Sequence, residues 1–178
     1  AEIMCPIESN LQQVRREIDA AIAALPEAIC HPVTLVAVSK TRPAEDIREA
    51  FRAGQRAFGE NYAQEGARKV SELADLRGQG IEWHFIGPMQ SNKAALVASH
   101  FDWVHGLDRL KIAEALSRNR PDTPINVCIQ VNASGEASKG GLAPGEVPDF
   151  AREIAPLPGL RLRGLMTIIE NTDDAARQ

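Results

Sequence analysis

The stretch that decides the fold is T-L-V-A-V-S-K-T at residues 34–41. Its apolar residues lead to Lys40, and Pro43 follows shortly after, a residue that favours the first turn of a helix. A short apolar run that passes directly into a helix is typical of a buried strand in a parallel sheet. We therefore predict a strand whose carboxyl end carries an amine, at the edge where parallel barrels gather their functional groups.

Side-chain alternation divides this strand into two faces. If Lys40 points into the mouth of a barrel, three side chains share its direction: Thr34, Val36 and Val38. The other three then pack against helices: Leu35, Ala37 and Ser39. A lysine desolvated at that position loses part of its preference for the charged form, and it can attack an aldehyde to form a Schiff base. The alternative is a strand-end lysine whose aliphatic stem carries its charge to solvent.

Length and composition limit the possible functions. With 178 residues, 44% of them hydrophobic, the chain can bury a core, and we expect a single domain over residues 1–178. Lys plus Arg number 20 against 24 for Asp plus Glu, and the resulting net charge of -4 counts against a nucleic-acid partner. No apolar run approaches the roughly 20 residues of a membrane span, and the amino terminus does not resemble a signal peptide. Three cysteines without a C-x-x-C pair indicate a reduced, cytoplasmic setting and no metal site; they are Cys5, Cys30 and Cys128.

Six predicted strands alternate with helices along the chain. We expect the strands at residues 34–41, 56–59, 82–86, 102–104, 125–132 and 161–165. The first helix is expected at residues 9–25, with a capping box formed by Ser9 and Gln12. Strict alternation indicates a parallel sheet, either an open doubly wound sheet or a (β/α)8 barrel. No G-x-G-x-x-G follows the first strand, which counts against a dinucleotide-binding fold.

The fifth predicted strand favours the barrel. In residues 125–132 the odd-numbered positions are apolar, whereas the other face carries Asn126, Cys128, Gln130 and Asn132. A sheet that closes around a partly polar interior and carries helices outside should show this pattern. Because a complete barrel needs roughly 250 residues, we predict a (β/α)8 TIM-type barrel that is truncated after about six strands, without strands seven and eight. An open six-stranded sheet is the alternative.

Polar side chains fall at the carboxyl ends of several predicted strands, where a barrel gathers its site. The candidates are Lys40, Asn61, His84, Gln90, Ser91, Asn92, Lys93, Asn132, Ser134 and Lys139, with Met166 after the last strand. Each also has a structural interpretation, such as a helix cap for Asn61, a buried hydrogen-bonded ring for His84 or core packing for Met166. The four histidines show no metal-ligand spacing, and neither G-x-S-x-G nor H-E-x-x-H occurs.

Five motifs resemble those of the pyridoxal phosphate homeostasis protein family, in that family's order and over nearly the whole chain. They are V-A-V-S-K-T at 36–41, F-G-E-N-Y at 58–62, W-H-F-I-G-P-M-Q-S-N-K at 83–93, V-N-A-S-G-E-A-S-K-G-G at 131–141 and R-G-L-M at 163–166. The third motif is highly specific. The resemblance implies a single (β/α)8 barrel similar to the amino-terminal domain of alanine racemase, with pyridoxal 5′-phosphate (PLP) as its cofactor.

The same resemblance implies roles for individual residues. Lys40 would hold PLP as a Schiff base, and four residues would line the cofactor: Asn61, His84, Asn132 and Met166. Lys93 and Lys139 match lysines near the site. Members of the family are thought to hold, deliver or buffer PLP without catalytic turnover, so we expect no catalytic residue. The implied partners are PLP and the PLP-dependent apo-enzymes that receive it, and we expect a cytoplasmic monomer.

Two other functions fit parts of the sequence. A PLP-dependent racemase-like enzyme needs a second acid or base, supplied in related racemases by a tyrosine of another domain, whereas Tyr62 is the only tyrosine here. An aldolase-type barrel that uses Lys40 on a carbonyl substrate explains the lysine but none of the longer motifs. By the resemblance, the phosphate-binding loop and a following arginine would lie beyond Gln178. We therefore expect this chain to bind PLP more weakly than a full-length chain.

Overall fold

The computed structural model describes residues 5–120 and 122–176. They form a six-stranded sheet in which neighbouring strands are parallel and the strand order follows the sequence. A doubly wound sheet would reverse its strand order part-way, so the sequential order is that of a barrel wall, which confirms the predicted fold class. That this chain lacks strands seven and eight stays a prediction. The strands are β1 (Ala37–Val38), β2 (Ala57–Glu60), β3 (Glu82–Phe85), β4 (Trp103–Leu107), β5 (Ile125–Gln130) and β6 (Leu160–Met166).

Helices separate the strands along the chain. Within the described residues they are α1 (Pro6–Ala23), α2 (Ala44–Arg52), α3 (Ala63–Glu72), α4 (Ala94–His100), α5 (Leu110–Arg118) and α6 (Val147–Ile154). Short 3-10 turns extend the ends of several of them, as at Ala74–Gln79 after α3. None of these helices is long and apolar enough to cross a membrane.

The predicted start of the first helix and the predicted length of the first strand are wrong for local reasons. α1 begins at Pro6, because proline fits the first turn of a helix, so the capping box predicted for Ser9 and Gln12 does not form. The Ser9 hydroxyl donates instead to the Pro6 carbonyl oxygen within the helix, at 3.1 Å. β1 is limited to Ala37–Val38 rather than extending over residues 34–41, and it is an edge of the described sheet.

The hydrophobic core lies between the helices and the outer face of the sheet. The side chains of Trp83, Phe85 and Phe101 are at most 2% exposed, and the rings of Phe85 and Phe101 meet edge to face with centroids 5.4 Å apart. Along β5, buried residues alternate with partly exposed ones. This alternation confirms the predicted division of the fifth strand into an apolar face under the helices and a polar inner face.

The inner face of the sheet carries a stack of polar rings. His84 on β3 stacks on Trp103 of β4 with ring centroids 5.3 Å apart, and its Nδ1 lies 2.8 Å from Nε2 of His105. The guanidinium of Arg163 on β6 lies over the Trp103 ring, 5.1 Å from the ring centroid. Burial, with a further contribution from His105, lowers the pKa of His84 to about 3. The His84 ring is therefore neutral at neutral pH.

A charged cluster is buried on the outer side of β2, under α3. The ammonium of Lys69, which is 0% exposed, lies 2.6 Å from Glu60 Oε1, and it donates to Glu65 Oε1 at 2.7 Å and to the Ser39 carbonyl oxygen at 2.6 Å. These contacts use all three N–H donors of the ammonium. Burial raises the pKa of Glu60, and the hydrogen bond from Lys69 opposes that shift. We call Lys69, Glu60 and Glu65 the Lys69 cluster.

Replacing Lys69 by methionine is expected to destabilise the fold by about 3–5 kcal/mol, because it leaves Glu60 buried without its cation. Urea denaturation followed by circular dichroism measures this free energy of unfolding. The matched control is Arg68→Met on the same helix, which removes an exposed pair with Glu72 and should cost less than about 1 kcal/mol. Similar losses in the two variants would contradict the buried role of Lys69.

His84→Gln is expected to flatten the dependence of stability on pH. Below about pH 6.5 the unfolded chain binds a proton at this histidine that the folded chain does not bind. The free energy of unfolding therefore decreases as the pH is lowered. The loss attributable to His84 is about 2 kcal/mol between about pH 7.5 and pH 5, and it continues toward pH 3, where the folded ring titrates. Urea unfolding at the two pH values should show a loss that is smaller in the variant by that amount. An equal loss in both proteins would show that His84 binds its proton equally well in the folded chain.

Candidate functional site

The carboxyl ends of the first three strands bring predicted site residues to one edge of the sheet. Gly59 on β2 pairs with Val38 on one side and with His84 on the other. Two residues farther along the three strands, the chain reaches Lys40, Asn61 and Ile86. Because the strands are parallel, the backbones of Lys40 and Asn61 lie at the same level of the barrel mouth.

Glycines allow the strand ends to approach each other closely at this edge. A Cβ added to Gly87 would overlap the backbone of Asn61, so no larger residue fits there without displacing the end of β2. A Cβ at Gly106 on β4 would lie 3.1 Å from the Gly87 carbonyl oxygen and 3.1 Å from Gln130 Oε1. The mouth is therefore built from closely packed backbone, with polar side chains around it.

A cleft of about 440 Å³ opens at this edge. Its volume falls within the roughly 300–1,000 Å³ that is typical of small-molecule sites. Polar, charged and apolar side chains from the ends of several strands surround it. They are Asn61, Ile86, Pro88, Met89, Gly106, Asp108, Arg109, Gln130, Ser138, Lys139, Gly140, Met166 and Ile168.

Asn61 stands between this cleft and a second one of about 390 Å³, which Tyr62 and Lys93 also line. The side-chain oxygen Oδ1 of Asn61 is buried and has no hydrogen-bond partner among the described residues. An unpaired buried acceptor costs about 1–3 kcal/mol unless a ligand or a water molecule donates to it. Asn61 is therefore placed to accept a hydrogen bond from a polar ligand.

The strand pattern left two alternatives open for Lys40, and the described residues favour one of them. Its side chain is exposed and lines neither cleft, which is the arrangement of a strand-end lysine that reaches solvent rather than of a desolvated amine. The residue after it, Thr41, has a φ of 63° and is the one non-glycine residue with positive φ in the described part of the chain. For a β-branched residue this conformation costs roughly 1–3 kcal/mol. The Thr41 N–H donates to Glu65 Oε1 at 2.5 Å, which holds the strained backbone in place.

Asn132 organises the glycine-rich loop after β5. Its Nδ2 donates to the carbonyl oxygens of Glu136 at 2.8 Å and of Lys139 at 3.2 Å, while its Oδ1 accepts from the Gly135 N–H at 3.0 Å. The Lys139 ammonium in turn donates to the Ile169 carbonyl oxygen at 2.9 Å. The amide of Asn132 therefore shapes the loop that carries Lys139 to the cleft.

The residues that the sequence implicates do not all meet in one place. Asn61 and Met166 line the larger cleft together, and Lys40 lies at the edge strand on the side of Asn61. His84 lies deeper on the inner face, with its Nε2 buried and unpartnered among the described residues. Asn132 holds the loop rather than lining the cleft. Their roles toward a cofactor stay predictions.

Two residues that line the cleft, Gln130 and Asp108, were not among the candidate cofactor residues. For Gln130 the sequence does hold a signal, because it belongs to the polar face of β5 and points the same way as Asn126. Asp108 stands close before α5, a position typical of a helix cap, yet Arg109 is the N-cap and the Asp108 carboxylate accepts from the Gly141 N–H at 3.0 Å. A contact between such distant residues leaves no periodic pattern in the sequence.

Potential metal ligands are scattered. No group of three or more His, Cys, Asp or Glu side chains among the described residues could hold a metal ion. Cys5, Cys30 and Cys128 are free thiols. The cleft offers an amine, a guanidinium, amide groups, a carboxylate, a hydroxyl and two thioethers.

Comparison with known protein sequences assigns the chain to a family. The sequence profile described as "alanine racemase, N-terminal domain" matches residues 7–178. The pyridoxal phosphate homeostasis protein of Pasteurella multocida is 53% identical over 176 residues, which cover 97% of this chain and 74% of that protein. The protein of the same name from Escherichia coli K12 is 52% identical over 180 residues, which cover 98% of this chain and 75% of that protein.

Solved structures agree with this assignment. PipY of Synechococcus elongatus, determined with PLP bound, is 37% identical and superimposes with a TM-score of 0.77 over 96% of this chain and 74% of PipY. The alanine racemase of E. faecalis superimposes with a TM-score of 0.68 over 95% of this chain and 44% of the racemase, but at 18% identity this likeness shows the fold alone. The sequence profile matches, relatives that are about half identical to this chain carry the family's name, and the fold is shared. The chain therefore belongs to the pyridoxal phosphate homeostasis protein family.

Proposed function

We propose that this protein binds PLP at the carboxyl edge of the sheet and takes part in PLP homeostasis, with Lys40 forming a Schiff base to the cofactor. The observation that carries the proposal is the position of Lys40, level with Asn61, whose buried and unpartnered oxygen borders a cleft of about 440 Å³. Two relationships support it: relatives that are about half identical are named for PLP homeostasis, and PipY was determined with PLP bound.

The residues of the cleft fit a small and polar ligand. Met166 offers an apolar contact in the same cleft as the Asn61 amide. When bound, PLP supplies an aldehyde that condenses with a primary amine. Lys40 would supply that amine, and Asn61 would accept a hydrogen bond from the ligand.

The other two residues implied by the resemblance act from a distance in this proposal. His84 lies on β3 two residues before Ile86, which lines the cleft, and its ring is neutral because its pKa is about 3. Asn132 keeps the loop in the shape that brings Lys139 to the cleft. Both residues would thus shape the site, and neither is assigned a proton transfer.

We further propose that the protein holds and releases PLP without turning over a substrate. The family names support storage and supply, since the relatives are named for homeostasis rather than for a reaction. PLP-dependent apo-enzymes would receive the cofactor, and the protein would work as a cytoplasmic monomer. Residues 1–178 would form the first six strands of a single (β/α)8 barrel domain, and the relatives are about a third longer than this chain.

Lys40→Ala is expected to abolish covalent capture of PLP. The protein is incubated with PLP and reduced with borohydride, which makes a Schiff base permanent, and its intact mass is measured. We expect the wild type to gain one reduced PLP group and the variant to gain none, because the proposal assigns the Schiff base to Lys40 and not to Lys139, which also lines the cleft. Lys93→Ala, at the neighbouring cleft, is the matched control and should label like the wild type. Labelling that persists in Lys40→Ala, or a wild type that is not labelled, would contradict the proposal.

A further inference from the structure

Side chains on the helix-covered face of the sheet form hydrogen bonds to the residues before and after Lys40. Before Lys40, the Ser39 carbonyl oxygen accepts from Lys69 Nζ at 2.6 Å, and the Ser39 hydroxyl donates to Glu60 Oε1 at 3.2 Å. After Lys40, the Thr41 N–H donates to Glu65 Oε1 at 2.5 Å. Both neighbours of Lys40 are thus bound to the Lys69 cluster.

These contacts determine the direction of the Lys40 side chain. Because residues alternate along a strand, a Ser39 side chain held against Glu60 on the outer side turns Lys40 toward the inner side. Thr41 then reverses the chain in the left-handed region, with a φ of 63°. Without an acceptor for its N–H, Thr41 would relax to an ordinary conformation and rotate the peptide that joins it to Lys40.

The cluster is also organised around this stretch of backbone. Glu65 is only partly buried, with its side chain 21% exposed, yet one of its oxygens joins the buried Lys69 ammonium to the Thr41 amide. The next ion pair on α3, Arg68 with Glu72, is exposed, and neither of its charged groups bonds to the residues around Lys40. Within α3, it is the Lys69 cluster that reaches the carboxyl end of β1.

We propose that the Lys69 cluster is a positioning device for Lys40: Glu65, held by Lys69 and Glu60, fixes Thr41 in its left-handed conformation and thereby directs the Lys40 amine toward the cofactor aldehyde. This inference rests on the proposed function. Glu60, Glu65 and Lys69 are positioning residues, since none of them lines the cleft. Loss of the Thr41 contact should slow covalent capture by Lys40 while leaving the cleft itself intact.

The test uses three substitutions of Glu65 that separate the effect of its side-chain length from the effect of its charge. Glu65→Ala removes the acceptor for Thr41, Glu65→Asp keeps the charge on a side chain one methylene shorter, and Glu65→Gln keeps an oxygen at the full length. Glu72→Ala, on the same helix, is the matched control. Urea denaturation of every variant checks that it is folded, and Glu65→Asp keeps the test available should Glu65→Ala fail to fold.

Two measurements are made on each protein. The first is the rate at which PLP becomes attached to Lys40, by borohydride trapping and intact mass. The second is the affinity for pyridoxine 5′-phosphate, which has the ring and the phosphate of PLP but no aldehyde. We expect capture to slow about tenfold or more in Glu65→Ala and Glu65→Asp, because small misplacements of a reacting group have large effects on rate. Capture should stay within about threefold of the wild type in Glu65→Gln and Glu72→Ala, and the affinity for pyridoxine 5′-phosphate should be unchanged throughout.

The outcomes separate this inference from the proposed function. A wild type without Lys40-dependent capture contradicts both. A wild type that captures PLP, together with Glu65→Ala and Glu65→Asp variants that capture it equally fast, contradicts the positioning role alone. A parallel loss of affinity for pyridoxine 5′-phosphate also contradicts the positioning role, because that result would assign Glu65 to the general shape of the cleft. A Glu65→Gln variant that captures PLP as slowly as Glu65→Ala contradicts it as well.

Discussion

The burial of the Lys69 ammonium is the constraint on which the end of β1 depends. A charge in the protein interior is tolerated only where it is paired and hydrogen-bonded. Here the partners come from three elements: Glu60 ends β2, Glu65 belongs to α3, and the Ser39 carbonyl follows β1. Because β1 is an edge strand with only two ladder residues, this one side chain gives the end of β1 a second attachment to the rest of the fold, in addition to the sheet.

The two faces of the sheet contribute differently to the site. On the outer face, charges under α3 fix the backbone around Lys40. On the inner face, His84 is the neutral member of a stack of rings, and Asn61 presents beside the cleft an oxygen without a partner among the described residues. The backbone around Lys40 is thus fixed by buried charge on one side, while the cleft on the other side carries polar groups together with the charged side chains of Asp108, Arg109 and Lys139.

Local pattern predicted much of the fold, whereas the contacts that support the site depend on tertiary register. The apolar run at 34–41 predicted a parallel strand, and the alternation at 125–132 predicted a barrel-type inner face; both signals are short-range. By contrast, Glu65 and Lys69 have the spacing of an ordinary exposed helix pair, and only their placement over Ser39 and Glu60 buries it. The left-handed Thr41 has no sequence signal either, because a β-branched residue is among the least expected there.

A crystal structure of the protein with PLP tests the central claim most directly. Our account predicts continuous electron density from Lys40 Nζ to the cofactor, with the ring in the cleft beside Asn61 and Met166 and with Thr41 still in the left-handed region and bonded to Glu65. Density that joins the cofactor to Lys93 or Lys139 instead, or a cofactor bound away from the carboxyl edge of the sheet, would contradict it.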